Sequence, residues 1–146
     1  MKKIVTLVVL VFAFYGVQAQ QMNSAPGTIA RSLPDGWHKY ASEGATLDVE
    51  VTAGFISQGN IKWFNNDTYS GQLRANSFSG KGTYTWANGE RYEGSFKKNE
   101  KHGKGTMYRE NGEKISGKWK NGVLSGKVKI WKTDGTVEEK VLNAKK

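Results

Sequence analysis

The stretch Gly80-Lys81-Gly82-Thr83-Tyr84-Thr85-Trp86-Ala87-Asn88-Gly89, followed by Tyr92-Glu93-Gly94-Ser95-Phe96, decides how this chain is read. Its glycines recur. Gly71, Gly94 and Gly117 are 23 residues apart, and so are Gly80, Gly103 and Gly126, and Gly89, Gly112 and Gly135. A period of that size marks a repeat architecture.

Inside one unit the period falls to two. Gly82, Tyr84 and Trp86 alternate with Thr83 and Thr85, and Tyr92, Gly94 and Phe96 alternate with Glu93 and Ser95. Alternation in aromatic, Thr-rich runs predicts half-buried β-strands. Asn88-Gly89, Asn111-Gly112 and Asp134-Gly135 supply the reversals. Parity then sets the loop length. A two-residue Asn88-Gly89 turn would put Trp86 opposite Arg91 and split the aromatic sets between faces. A three-residue loop, Ala87-Asn88-Gly89 with Gly89 left-handed, keeps them together. In that register Tyr84 faces Tyr92, Gly82 faces Gly94, Met107 faces Ile115, Gly105 faces Gly117, and Arg109 faces Glu113 as an opposite-charge pair. The paired glycines have two readings: either neighbouring rings lie flat over them, or they only mark bulges. One hairpin buries too little to order itself, so neighbouring hairpins must stack and share their faces.

The pattern Tyr-x-Gly-x-(Phe/Trp), then Gly-x-Gly, then Asn-Gly resembles the MORN (membrane occupation and recognition nexus) repeat. Tyr92–Gly112 matches closely, through Tyr92, Gly94, Phe96, Gly103, Gly105 and Gly112. Tyr69–Gly89 fits except that Leu73 takes the aromatic position. Ile115–Gly135 is looser: it keeps Gly117, Trp119, Gly126 and Gly135, but Ile115 replaces the Tyr and Val128 the second Gly. These departures are similar to the degenerate form found in many bacterial proteins. The resemblance implies an all-β fold, an elongated twisted single sheet of stacked hairpins. It also implies a scaffold, oligomerisation or membrane-associated module.

Outward toward the N-terminus, residues 1–19 read as an export signal. Lys2 and Lys3 precede an apolar run from Ile4 to Tyr15, and Val17-Gln18-Ala19 is a small-residue cleavage site, so Gln20 would begin the mature chain. The run is shorter than the ~20 residues a spanning helix needs, although an uncleaved anchor is the other reading. Export implies a periplasmic or extracellular protein. Residues 20–35 hold both prolines, Pro26 and Pro34, and read as a flexible linker. Residues 36–68 read as worn repeats or an N-terminal cap: Tyr40, Trp63 and Trp86 keep the 23-residue step, and so do Gly36, Gly59 and Gly82. Leu47-Asp48-Val49-Glu50-Val51 is an alternating strand, one residue out of phase with Tyr69 and Gly71. Residues 69–142 are the repeat array. Its last strand, Val137 to Leu142, should pair along Ile130 and expose a charged edge. Residues 143–146 are a tail.

The chain of 146 residues has a formal charge of +9 and no cysteine, which excludes disulfides and thiol chemistry. Without Lys2 and Lys3 the charge is +7. Gln20–Gln58 sets Arg31 and Lys39 against Asp35, Glu43, Asp48 and Glu50, so the +9 that remains belongs to Gly59 onward. The cations are ordered. Lys81, Lys104 and Lys127 are one period apart, as are Arg74, Lys97 and Lys120. With Lys98, Lys101 and Lys118 they form candidate sites for an anionic surface, either acidic lipid or envelope polysaccharide. A solvated face is the plainer reading. Nucleic acid suits basic residues mixed with Trp and Tyr, but an exported protein rarely meets it.

Nothing points to a cofactor or metal. His38 and His102 lie in unrelated contexts, and no HExxH is present. Gly103-Lys104-Gly105-Thr106 lacks the spacing and the following helix of a phosphate loop. Glu138-Glu139 and the Glu90/Glu93 pair read as solvated charges, and no Gly-x-Ser-x-Gly occurs. Asn66-Asp67-Thr68 is a formal glycosylation sequon. The expectation is therefore a non-catalytic binding module whose partner is a protein or a second copy. Attachment to anionic lipid or polysaccharide is the alternative, and a glycan-acting enzyme on the aromatic face a third reading without an acid/base pair.

Overall fold

A computed structural model describes residues 33–41, 44–75 and 77–142. The expected export signal with its Ala19/Gln20 cleavage site, most of the expected linker and residues 143–146 lie outside the described residues. The alternating runs form ten strands: β1 (Gly36–Ala41), β2 (Ala45–Thr52), β3 (Phe55–Trp63), β4 (Thr68–Arg74), β5 (Ser77–Thr85), β6 (Arg91–Lys97), β7 (Glu100–Tyr108), β8 (Lys114–Lys120), β9 (Val123–Trp131) and β10 (Val137–Leu142). Each pairs antiparallel with the next, giving one open sheet in sequence order.

The register places Tyr40, Leu47, Ile61, Tyr69, Tyr84, Tyr92, Met107, Ile115, Ile130 and Glu138 in a single row across all ten strands. Two residues along each strand, on the same face, runs a second row: Val49, Gly59, Gly71, Gly82, Gly94, Gly105, Gly117 and Val128. The core lies on this ring face. Tyr69, Tyr84, Tyr92, Phe78, Phe96, Trp86 and Trp119 are buried there, with no second layer among the described residues.

The glycine row makes that possible. The Tyr69 ring lies so close over β5 that a Cβ on Gly82 would stand 2.8 Å from it, and the Tyr92 ring covers Gly105 at 2.5 Å. Each phenol then donates to the backbone where the strand bulges: Tyr69 Oη to the Gln72 carbonyl at 2.7 Å, Tyr92 Oη to the Ser95 carbonyl at 3.0 Å. Ring packing over the glycines is the reading that holds at these positions. In the third repeat Ile115 has no ring to offer, and Leu124 and the buried Val128 fill the space over Gly117 instead. The two departures from the repeat pattern compensate each other.

The three-residue loops form as expected. Trp86 N–H donates to the Glu90 carbonyl at 2.9 Å, and Gly89 has φ +86°. The same closure recurs at Arg109/Glu113 and Lys132/Thr136. Arg109 and Glu113 do face each other, but the Arg109 guanidinium pairs with Glu90, at 4.0 Å. A fourth loop of this type, Trp63/Asp67, was not expected. There Asn66 takes the left-handed position at φ +68° that glycine fills elsewhere.

The first hairpin departs from the period. Tyr40 pairs with Leu47 and stands in the row of Ile61, so its 23-residue match to Trp63 is not a shared position. Leu47, Val49 and Val51 must all face the rings to be buried, and a one-residue slip would expose all three.

Candidate anion-binding face

Alternation fixes which side of the sheet each cation occupies. Lys81, Lys104 and Lys127 directly precede Gly82, Gly105 and Val128 in the glycine row, and Arg74, Lys97 and Lys120 directly follow the buried Leu73, Phe96 and Trp119. Both columns therefore share the face opposite the rings, and all six residues are exposed. Lys118 joins them, directly across from Lys104. Like charges in opposed positions weaken a sheet, so this arrangement is not one that folding favours. Strands ~4.8 Å apart set equivalent cations about 10 Å apart, two strands per repeat.

Two expected members stand elsewhere. Lys98 is in the β6–β7 turn at φ +50°. Lys101 is on the ring face, where the flanking repeats carry Phe78 and Leu124. Its ammonium lies 4.3 Å from the Trp119 ring centroid, 5.6 Å from Trp86 and 5.8 Å from Tyr92. Burial pulls its pKa below the ordinary lysine range; the Arg109 charge adds to this and Glu90 opposes it. Lys101 is enclosed by its own chain and is not part of the columns. The desolvated position decided this, because the four-carbon stem packs like the apolar residue it replaces.

Between the Lys81/Lys104/Lys127 column and the three-residue loops lie two further rows on the polar face. One carries mostly hydroxyls, with one amide and one carboxylate: Asn60, Ser70, Thr83, Glu93, Thr106, Ser116. Ser70 Oγ donates to Asn60 Oδ1 at 2.6 Å, and Thr106 Oγ1 to Ser116 Oγ at 3.1 Å. The next row alternates charge and ring: Arg91, Tyr108, Lys114, Trp131. Arg91 Cζ is 4.4 Å from the Tyr108 centroid, and Lys114 Nζ is 5.7 Å from Tyr108 and 4.7 Å from Trp131. Lys129 Nζ is 5.5 Å from Trp131. Tyr108 Oη donates to Glu93 Oε2 at 3.1 Å, while Arg91 pairs with the same carboxylate at 2.9 Å. The phenol is pushed above its ordinary pKa by burial and by this carboxylate.

These two rows were not singled out from the sequence. Their signal is present in it, since Arg91 and Lys114, Tyr108 and Trp131, and Thr83 and Thr106 each repeat at 23 residues. Alternation alone does not say which rows adjoin. Among the described residues, no three His, Cys, Asp or Glu side chains gather where they could hold a metal ion, and no helix is long and apolar enough to cross a membrane.

No curated protein matches the chain. The MORN repeat family model matches residues 69–91, 92–114 and 116–137, its third match starting just past Ile115, so the chain carries three MORN repeats over the part of the sheet that bears the cationic columns.

Proposed function

We infer that this protein is a non-catalytic exported binding module, of the type found in secreted bacterial MORN-repeat proteins, that holds a protein partner or a second copy of itself. One observation carries the reading. Among the described residues, a single sheet hides its apolar side chains on one face, and nothing covers the opposite face or the two edge strands. Repeats of this family generally bind proteins or membranes. Free edges offer backbone donors and acceptors to an added strand. Sedimentation of the chain across a concentration series, with mass-spectrometric identification of whatever copurifies and cross-links under native conditions, tests it. Self-association or one reproducible cross-linked partner is expected. A monomer at every concentration with no cross-linked partner overturns it.

A second reading, attachment to an anionic lipid or acidic polysaccharide surface, is favoured by the shared face of the two columns. Lys97, Lys104, Lys118 and Lys120 changed together to Glu should abolish salt-sensitive adhesion to anionic vesicles or polysaccharide. Equal adhesion by the variant removes this reading.

A further inference from the structure

We propose that the polar face holds a trough for one extended chain of an acidic polysaccharide, running across strands β3 to β8. The proposal rests on the anionic-surface reading above and narrows it to one ligand class and one path.

Side-chain size shapes the trough. Its floor is the row of Asn60, Ser70, Thr83, Glu93, Thr106 and Ser116, none larger than a glutamate. One bank is Lys81, Lys104, Lys118 and Lys127. The other is Arg91, Tyr108, Lys114 and Trp131. Two shallow, open depressions follow the floor and meet at Ser70 and Thr83: one reaches Asn60, and the other runs past Glu93 and Thr106 to Ser116 beside Lys81 and Lys104.

Each part matches a feature of an acidic sugar polymer. The floor offers hydroxyl and amide groups, which pair with sugar hydroxyls in either donor sense. The banks place cations about 10 Å apart at strand spacing, which suits carboxylate or sulfate groups recurring along a polymer. The rings between the cations hold them in place and present amphipathic edges to sugar rings. Glu93, the acid on the floor from Ser70 to Ser116, is already engaged by Arg91 and Tyr108. A membrane surface fits less well. The walls would hold a plane of headgroups off the hydroxyl floor, and no large apolar side chain stands exposed between Ser70 and Ser116 to enter a bilayer.

The test uses the full chain and three probes: polygalacturonate, neutral dextran, and vesicles containing phosphatidylglycerol. Two variants separate shape from charge. Thr83→Tyr with Thr106→Tyr fills the floor and leaves the charge unchanged. Arg74→Glu with Lys97→Glu and Lys120→Glu reverses the outer column and leaves the trough open. Calorimetry should show salt-sensitive binding of polygalacturonate and none of dextran. The filled variant should bind polygalacturonate at least about tenfold more weakly, a loss of roughly 1.4 kcal/mol, and the outer-column variant within about threefold of the parent. Thermal melts of both variants check that the sheet persists. If the filled variant is destabilised, Trp131→Ala and Lys104→Gln serve as single-site substitutes with the same expected loss. Polygalacturonate binding that survives the filled floor, or that falls equally with the outer column, overturns the trough. Vesicle binding with no polygalacturonate binding overturns it while the anionic-surface reading stands. Failure of every anionic probe removes both.

Discussion

Three buried tyrosines carry the packing at the scale of single residues. Burial raises the Tyr92 phenol from 10.0 to about 12. Burial also raises Tyr69, and Tyr84 as well, with the Asp67 carboxylate adding to the shift at Tyr84. The sign follows directly. Above pH about 10 the unfolded chain loses these protons while the folded chain keeps them, so stability falls as pH rises from about 10 toward 12 and is unaffected below. Thermal melts across this range should show a declining midpoint. Phenolate absorbance should rise late, with the unfolding step. A phenolate titration complete near pH 10 in the folded protein would contradict the buried hydroxyls.

At the scale of the element, two kinds of turn alternate along the sheet. The three-residue loops at Asn65, Asn88, Asn111 and Asp134 share one device. Each of these side chains accepts the backbone N–H two residues on, at 3.0, 3.2, 3.0 and 2.8 Å. The opposite edge uses two-residue turns with both residues left-handed, as at Ala53-Gly54, Lys98-Asn99 and Asn121-Gly122. The latter two bond backward as well. Asn99 N–H donates to the Phe78 carbonyl at 3.1 Å, its Oδ1 accepts the Phe78 N–H at 2.8 Å, and Gly122 N–H donates to the Lys101 carbonyl at 2.9 Å. Each of these two turns thus clips onto a strand of the preceding repeat. Lys98 sits at φ +50°, where Asn121 sits one repeat later, and a left-handed lysine is strained. Lys98→Asn should raise stability by about 0.5–1 kcal/mol, read as a higher denaturant midpoint at unchanged slope. A lower midpoint would mean the turn is not left-handed there.

For the molecule as a whole, aromatic contacts cross repeat boundaries. Tyr69 stacks on Phe78 at 3.8 Å and meets Phe96 edge-on at 5.5 Å, while Tyr92 meets Trp119 at 5.3 Å. Damage in one unit must therefore spread. Trp86→Ala, which empties a ring contact with Tyr84 at 4.8 Å, should cost about 3 kcal/mol. Gly94→Val, whose Cβ would stand 2.5 Å from Tyr92 Oη and 2.6 Å from Gly105 Cα, should cost at least as much. Hydrogen exchange should quicken together in both repeats that flank each change. Quickening confined to one hairpin, or an unchanged melting temperature, would contradict shared burial.

Much of this was legible in the chain itself. The 23-residue spacing of Gly71, Gly94 and Gly117 and the alternation around Tyr84 and Tyr92 determined the strands, the loop length at Asn88-Gly89, the register and the common face of the six columnar cations. All of these follow from period and parity, which are local properties. The tertiary structure decided the rest. It turned Lys101 into the rings, set Tyr40 in the row of Leu47 and Ile61, gave Asn66 a glycine's position, and laid the hydroxyl row between a lysine bank and a cation–aromatic bank. Those outcomes depend on which side chains meet across strands and how much apolar surface each choice hides, and no single repeat contains that information.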